Sequence, residues 1–199
     1  MIAMNKKIVL IDYGSGNVQS VKFALERLGY ASELTEDTSR IKSADKVIFP
    51  GVGEAGSTMK ILKDKGLDRV ISELKQPVLG ICLVMQLMCG ENEEGNTMGL
   101  GIFDIEVKRF PNTVKVPQIG WNQIENLKSD LFRGLAEKEF MYLVHSYYVP
   151  DSTYTIATTE YGFSYASAIR KDNFFGVQFH PEKSGKAGEK ILDNFLKMT

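Results

Sequence analysis

Three short stretches of this chain are almost wholly apolar, and each stops abruptly: Lys7-Ile8-Val9-Leu10-Ile11, Lys46-Val47-Ile48-Phe49 and Val78-Leu79-Gly80-Ile81. A strand with apolar side chains on both faces must be covered on both faces, which is the condition of a parallel sheet wrapped by helices. The intervening segments have helical spacing. Val18 to Leu28 carries Val18, Val21, Phe23, Ala24, Leu25 and Leu28 at helical intervals, with Gly29 as a stop. Ala31 to Leu34 reads as a second strand, and the helical region after Gly53 breaks at Gly66. Alternation of this kind predicts an α/β fold: one doubly wound, mostly parallel sheet flanked by helices.

The C-terminal half is patterned differently. From Ile102 to about Asn126, and from Met141 to Ile169, polar and apolar residues alternate, as in Thr153-Tyr154-Thr155-Ile156-Ala157-Thr158. That pattern predicts antiparallel additions to the parallel core. Phe174 to Phe179 reads as a late buried strand, and a closing helix from about Gly185 to Met198 carries Ala187, Ile191, Leu192, Phe195 and Leu196 on one face. No repeat or linker divides the 199 residues, so a single domain spanning 1–199 is expected.

Composition narrows the functional classes. A net charge of −1 and scattered basic residues argue against nucleic acid, and no apolar run approaches the roughly 18 residues of a membrane span. Met1 to Lys7 has no apolar stretch of signal-peptide type, which points to the cytoplasm. The only cysteines, Cys82 and Cys89, have neither disulfide-framework nor metal-ligand spacing, so no metal and no cofactor are expected.

The chemistry concentrates at two places. In Gly80-Ile81-Cys82-Leu83-Val84 a buried strand turns sharply into a helix, which exposes Cys82 at the carboxyl end of the sheet over a helix N-terminus that favours thiolate. Cys89, two turns along that helix, reads as packing. In Val177-Gln178-Phe179-His180-Pro181-Glu182, His180 and Glu182 share a face if the chain stays extended, so Glu182 can fix the imidazole tautomer while the other ring nitrogen takes the thiol proton. His145, the only other histidine, has no carboxylate close in sequence and reads as structural or substrate-lining. Gly51 and Val52, with the N–H of Leu83, are candidates for an oxyanion hole. The Gly14-Ser15-Gly16-Asn17 loop lacks both a dinucleotide fingerprint and a P-loop lysine.

Taken together, Ile11-Asp12-Tyr13-Gly14-Ser15-Gly16-Asn17, Pro50-Gly51-Val52-Gly53, Gly80-Ile81-Cys82-Leu83, Pro117 with Gly120-Trp121-Asn122, His145-Ser146-Tyr147 and Gln178-Phe179-His180-Pro181-Glu182-Lys183-Ser184 resemble the class I, triad-type glutamine amidotransferases. More narrowly, they resemble the glutaminase subunits of imidazole glycerol phosphate synthase. The resemblance implies a flavodoxin-like fold and attack by Cys82 on the side-chain amide of glutamine, with His180 as base and Glu182 orienting it. Backbone N–H groups of Leu83 and the Gly51-Val52 segment, which in that family reorients, would hold the oxyanion. Gln86, Glu94, Ser146 and Tyr147 match positions that contact the bound glutamine. Asn17, Trp121 and Lys183 match positions at the interface with a (β/α)₈-barrel cyclase, which receives the ammonia.

Two departures stand out. The family elbow reads Gly-x-Cys-x-Gly, and here the last position is Val84; a β-branched side chain there is expected to push strand and helix apart, at on the order of 1–3 kcal/mol. Replacing Val84 by glycine is then expected to raise glutaminase turnover. Gln118-Ile119 stands where the family has His-Met, near the partner surface. Two alternatives stay open on these grounds: a paralogue feeding ammonia to another synthase, such as one amidating a surface sugar, and a catalytically weakened module that only binds a partner.

Overall fold

The computed structural model describes residues 6–14 and 17–198. Ser15 and Gly16 of the first loop, and the N-terminal residues before Lys6, lie outside them. The first half runs β1 (Ile8–Ile11), α1 (Val18–Arg27), β2 (Glu33–Thr35), α2 (Thr38–Lys42), β3 (Lys46–Gly51), α3 (Ala55–Asp64), α4 (Leu67–Ser72), β4 (Val78–Cys82) and α5 (Leu83–Leu87). The second half adds β5 (Cys89–Asn92), β6 (Thr97–Met98), β7 (Phe103–Arg109), β8 (Gln118–Ile124), β9 (Glu139–His145), β10 (Tyr147–Tyr148), β11 (Thr155–Glu160), β12 (Ser164–Lys171), β13 (Phe174–Val177) and α6 (Gly185–Lys197).

The central sheet has the order β11-β12-β13-β4-β3-β1-β2. Its five strands β2, β1, β3, β4 and β13 are mutually parallel, in the doubly wound order of flavodoxin-like folds. β12 and β11 extend it antiparallel at one edge. The expected antiparallel additions are therefore only partly in this sheet. β8 and β9 form a separate two-stranded ribbon, and β10, β7, β5 and β6 form a small sheet of their own.

Alternate residues of each buried strand enter opposite cores. Ile8, Leu10, Ile48, Leu79 and Ile81 pack with α1, α6 and the β8–β9 ribbon. Val9, Ile11, Val47, Phe49 and Val78 pack with α2, α3, α4 and α5. The turns have local causes: Gly29 (φ +83°) follows α1, and Gly66 (φ +66°) separates α3 from α4, backbone that a side chain would strain. Phe23 departs from its expected place, because it lies on the solvent face of α1. No helix among the described residues is long and apolar enough to cross a membrane.

α5 lies directly on the sheet because three strands present glycine beneath it. A Cβ at Gly51 would fall 2.6 Å from a Val84 methyl, one at Gly80 2.7 Å from Met88 Cε, and one at Gly176 2.8 Å from Met85 Cγ. Val84 is fully buried, and its other methyl would meet a Cβ at Gly80 at 2.9 Å. The room Val84 needs is thus supplied by Gly51 and Gly80, which removes the reason to expect strand and helix forced apart. α5 is also shorter than the sequence suggests. It ends at Leu87, and Cys89 begins β5, paired with Phe103, instead of sitting two turns along a helix.

Candidate active site

Gly51 and Cys82 end β3 and β4, and His180 comes just after β13, so all three stand at the carboxyl edge of the parallel strands, where open α/β sheets bind ligands. Cys82 ends β4 with φ 53° and ψ −110°, a strained conformation for a non-glycine residue and the signature of a strand-to-helix nucleophile turn. Gly51, the last residue of β3, pairs with Cys82 across the sheet. His180 follows β13. A cleft of about 370 Å³ joins them, bordered by Cys82, Leu83, Gln86, Val52, His180 and, opposite, Glu94, Ser146 and Tyr147. That size suits a small ligand.

His180 Nδ1 lies 2.9 Å from Glu182 Oε1, and both side chains are buried. Nδ1–H therefore donates to the carboxylate, which leaves Nε2 for the thiol. Burial alone pulls the His180 imidazole down, but hydrogen bonds and charge from Cys82 and Glu182 outweigh it and lift it from the usual 6.5 to about 9. The turn Pro181–Lys183 brings Glu182 back under the ring; Ser184 secures it by donating to the His180 carbonyl at 2.6 Å and accepting from the Tyr142 N–H at 3.0 Å.

Gln178 was not singled out by sequence reasoning, yet it is fully buried beside the thiol. Its Nε2 points at Cys82 Sγ from 3.7 Å, and its Oε1 accepts from Gln86 Nε2 at 2.9 Å. The available signal was a polar residue inside the apolar run Phe174–Phe179. Gln86 lines the cleft, but its amide N–H groups are engaged by Gln178 and the Tyr147 carbonyl, so its carbonyl oxygen is the atom left for a ligand. Glu94 accepts from the Ala55 N–H at the start of α3, and burial raises its carboxyl above the usual range.

His145 borders the same cleft but is held as a neutral ring. Nδ1 donates to the Tyr147 carbonyl at 2.7 Å, Nε2 lies 3.3 Å from the Tyr165 hydroxyl, and burial pushes the imidazole down to about 4. This fits the structural or cleft-lining role expected of it. Gln118 is not at the surface as expected: it is fully buried, and its Oε1 accepts from the Tyr165 hydroxyl at 2.9 Å. Only its neighbour Ile119 is exposed.

The residues expected at a partner surface divide. Trp121 is 54% exposed, its ring edge-on to Tyr142 at 6.0 Å, and Lys183 lies over the same Tyr142 ring. Ile119 and Phe140 are exposed on the same ribbon face. Asn17 does not join them. It is buried, and its Nδ2 donates to Glu182 Oε1, because the start of α1 packs beneath the His180–Glu182 turn instead of facing outward. A larger groove, about 670 Å³, opens at the opposite end of the sheet among Lys75, Arg133, Arg170, Lys190 and three aspartates; it holds no cysteine or histidine.

A cysteine at a strained elbow, a buried histidine–carboxylate pair and a flavodoxin-like sheet together fit a triad amidotransferase, and the profile for glutamine amidotransferase class-I matches residues 9–198. The chain belongs to that family. Among curated relatives it is 57% identical to the imidazole glycerol phosphate synthase subunit HisH of Bacteroides fragilis (strain YCH46), covering 96% of this chain and all of that one. It is 47% identical to the protein of the same name from Haemophilus influenzae (strain ATCC 51907 / DSM 11121 / KW20 / Rd), covering 96% of each. A solved structure described as a glutamine amidotransferase superposes with a TM-score of 0.75 at 18% identity, over 95% of this chain and 97% of that one, a likeness of fold.

Proposed function

We propose that this chain is the glutaminase subunit of imidazole glycerol phosphate synthase, hydrolysing glutamine to glutamate and passing ammonia to a cyclase in histidine biosynthesis. The observation that supports the chemistry is that Cys82, at the end of β4, and His180, just after β13, border one cleft, with the Glu182 carboxylate buried on His180 Nδ1. Full-length identity to relatives bearing that name supports the pathway.

In this reading the Cys82 sulfur attacks the side-chain carbonyl carbon of glutamine, and the thiol proton passes to His180 Nε2. The carbonyl electrons move to an oxyanion facing the N–H groups of Leu83 and the Gly51-Val52 segment. Collapse breaks the C–N bond, His180 returns its proton to the leaving nitrogen, and ammonia departs. Water, deprotonated by His180, then cleaves the thioester to release glutamate and restore the thiol. Gln86, Glu94, Ser146 and Tyr147 hold the amino-acid end of the substrate. The exposed Ile119, Trp121, Phe140 and Lys183 face, beside the site, is the docking surface for a (β/α)₈-barrel cyclase, which receives the ammonia through a protected channel. No cofactor takes part.

The test is glutamate release by the purified chain, alone and with a cyclase subunit plus its nucleotide ligand. Strong stimulation in the complex is the expected result. A folded chain that releases no glutamate in either condition contradicts the proposal.

A further inference from the structure

Asn17 stands at the N-cap of α1, a position where asparagine ordinarily turns its side chain onto the first exposed N–H groups of its own helix. It makes no such bond here. Its amide instead reaches across 165 residues of sequence to donate to Glu182 Oε1, the same oxygen that accepts from His180 Nδ1 at 2.9 Å. The amide nitrogen also lies 3.5 Å from His180 Nδ1 itself, so the three groups form one compact, buried cluster.

The backbone of the His180–Glu182 turn is fixed separately, by Ser184 and the Tyr142 main chain. None of those bonds touches the carboxylate. Among the described residues, Glu182 Oε2 has no partner, and Oε1 has only His180 and Asn17. An orienting carboxylate works only if it is itself oriented.

We propose that Asn17 is a positioning residue of the glutaminase reaction: its amide clamps the Glu182 carboxylate so that one oxygen stays on His180 Nδ1–H. This rests on the proposed amidotransferase chemistry and assigns Asn17 to the reacting unit in place of the partner interface. Asn17 touches neither the cleft nor Cys82 and acts only through Glu182.

The experiment compares the full chain with Asn17→Leu, which fills the same space without a donor, and Asn17→Ala. The two imidazoles are followed by NMR titration, and kcat and KM for glutamine are measured. Without the clamp, the His180 midpoint is expected to fall from about 9 by roughly half a unit or more, as its pairing with Glu182 loosens. kcat is expected to fall about tenfold with KM nearly unchanged. His145 contacts neither group and serves as the internal control for folding. A wild-type His180 midpoint and kcat in Asn17→Leu overturn the proposal, and so does a shift of both imidazoles together, which marks Asn17 as a packing residue. If the unsubstituted chain hydrolyses no glutamine even with a cyclase subunit and its nucleotide ligand present, the amidotransferase reading fails, while the titration still reports on the clamp.

Discussion

The main-chain N–H of Val52 is donated to the phenolic oxygen of Tyr13 at 3.4 Å, although Val52 borders the cleft beside Cys82. Tyr13 is buried and packs edge-on to Phe49 at 5.3 Å, so its hydroxyl is held in place by the core. One of the donors assigned to the oxyanion is therefore engaged elsewhere, through a long bond that is readily exchanged. Tyr13→Phe keeps the ring and removes the acceptor. Glutamate release by the chain without partner is expected to rise, by at most the roughly 10²–10³-fold that a single oxyanion donor contributes. An unchanged or lower rate in the folded variant would count against this role.

The two histidines are predicted to titrate far apart, His180 near 9 and His145 near 4. Cys82 is among the groups that lift His180, so Cys82→Ser is expected to lower the upper midpoint and leave the lower one in place. NMR titration of both proteins checks this. Coincident midpoints near 6.5 would contradict the geometry of the pair.

Stability should follow the same two groups with opposite signs. The raised His180 contributes stability that is complete below about 6.5, the unfolded value, and is lost as pH rises through about 9. His145 is depressed, so the unfolded chain takes up its proton first, and stability falls as pH drops from about 6.5 toward about 4. From these two groups the thermal midpoint is highest near pH 6.5, and His145→Gln should flatten the acid limb. An acid limb of unchanged slope in that variant would remove His145 as its source.

Val84→Gly removes a fully buried isopropyl group and adds backbone freedom to a helix. Because Gly51 and Gly80 already leave room for Val84, the variant is expected to lose about 2–4 kcal/mol of stability. Turnover per folded molecule should stay close to that of the parent, in contrast to the gain the sequence alone suggests. Urea unfolding and active-site titration separate the two effects. A more stable or markedly faster variant would restore the overpacking argument.

Trp121→Ala should weaken cyclase binding by about 2 kcal/mol, some thirtyfold in Kd, since an exposed aromatic anchor of this kind is a typical hot spot. Basal glutamate release should hold. Affinity measured by titration calorimetry and unchanged by the substitution would place the docking surface elsewhere.

The parallel half of the fold was legible because its strands are buried on both faces and write that into consecutive apolar residues. The elbow cysteine was legible because it sits at the end of such a run; His180 and Glu182 do pair, but through a turn at Pro181–Lys183 and not along the extended chain that the alternation of a strand suggests. What local pattern hides is pairing at a distance. Leu87, Met88 and Cys89 continue a helical periodicity, but Leu87 O accepts from the Leu100 N–H and Cys89 pairs with Phe103, so the chain leaves the helix. Asn17 looks like an ordinary cap or surface residue because its partner lies at the other end of the sequence. Gln118 is drawn inward by Tyr165, a contact that no neighbouring residue announces.

Trp121 is the chain's single tryptophan, and it stands half-exposed on the face next to His180, with Tyr142 between them. Its indole emission therefore reports on one patch of surface without background from the core. Docking that shields the ring should shift that emission to the blue, so the native protein carries its own optical gauge of assembly and needs no attached dye.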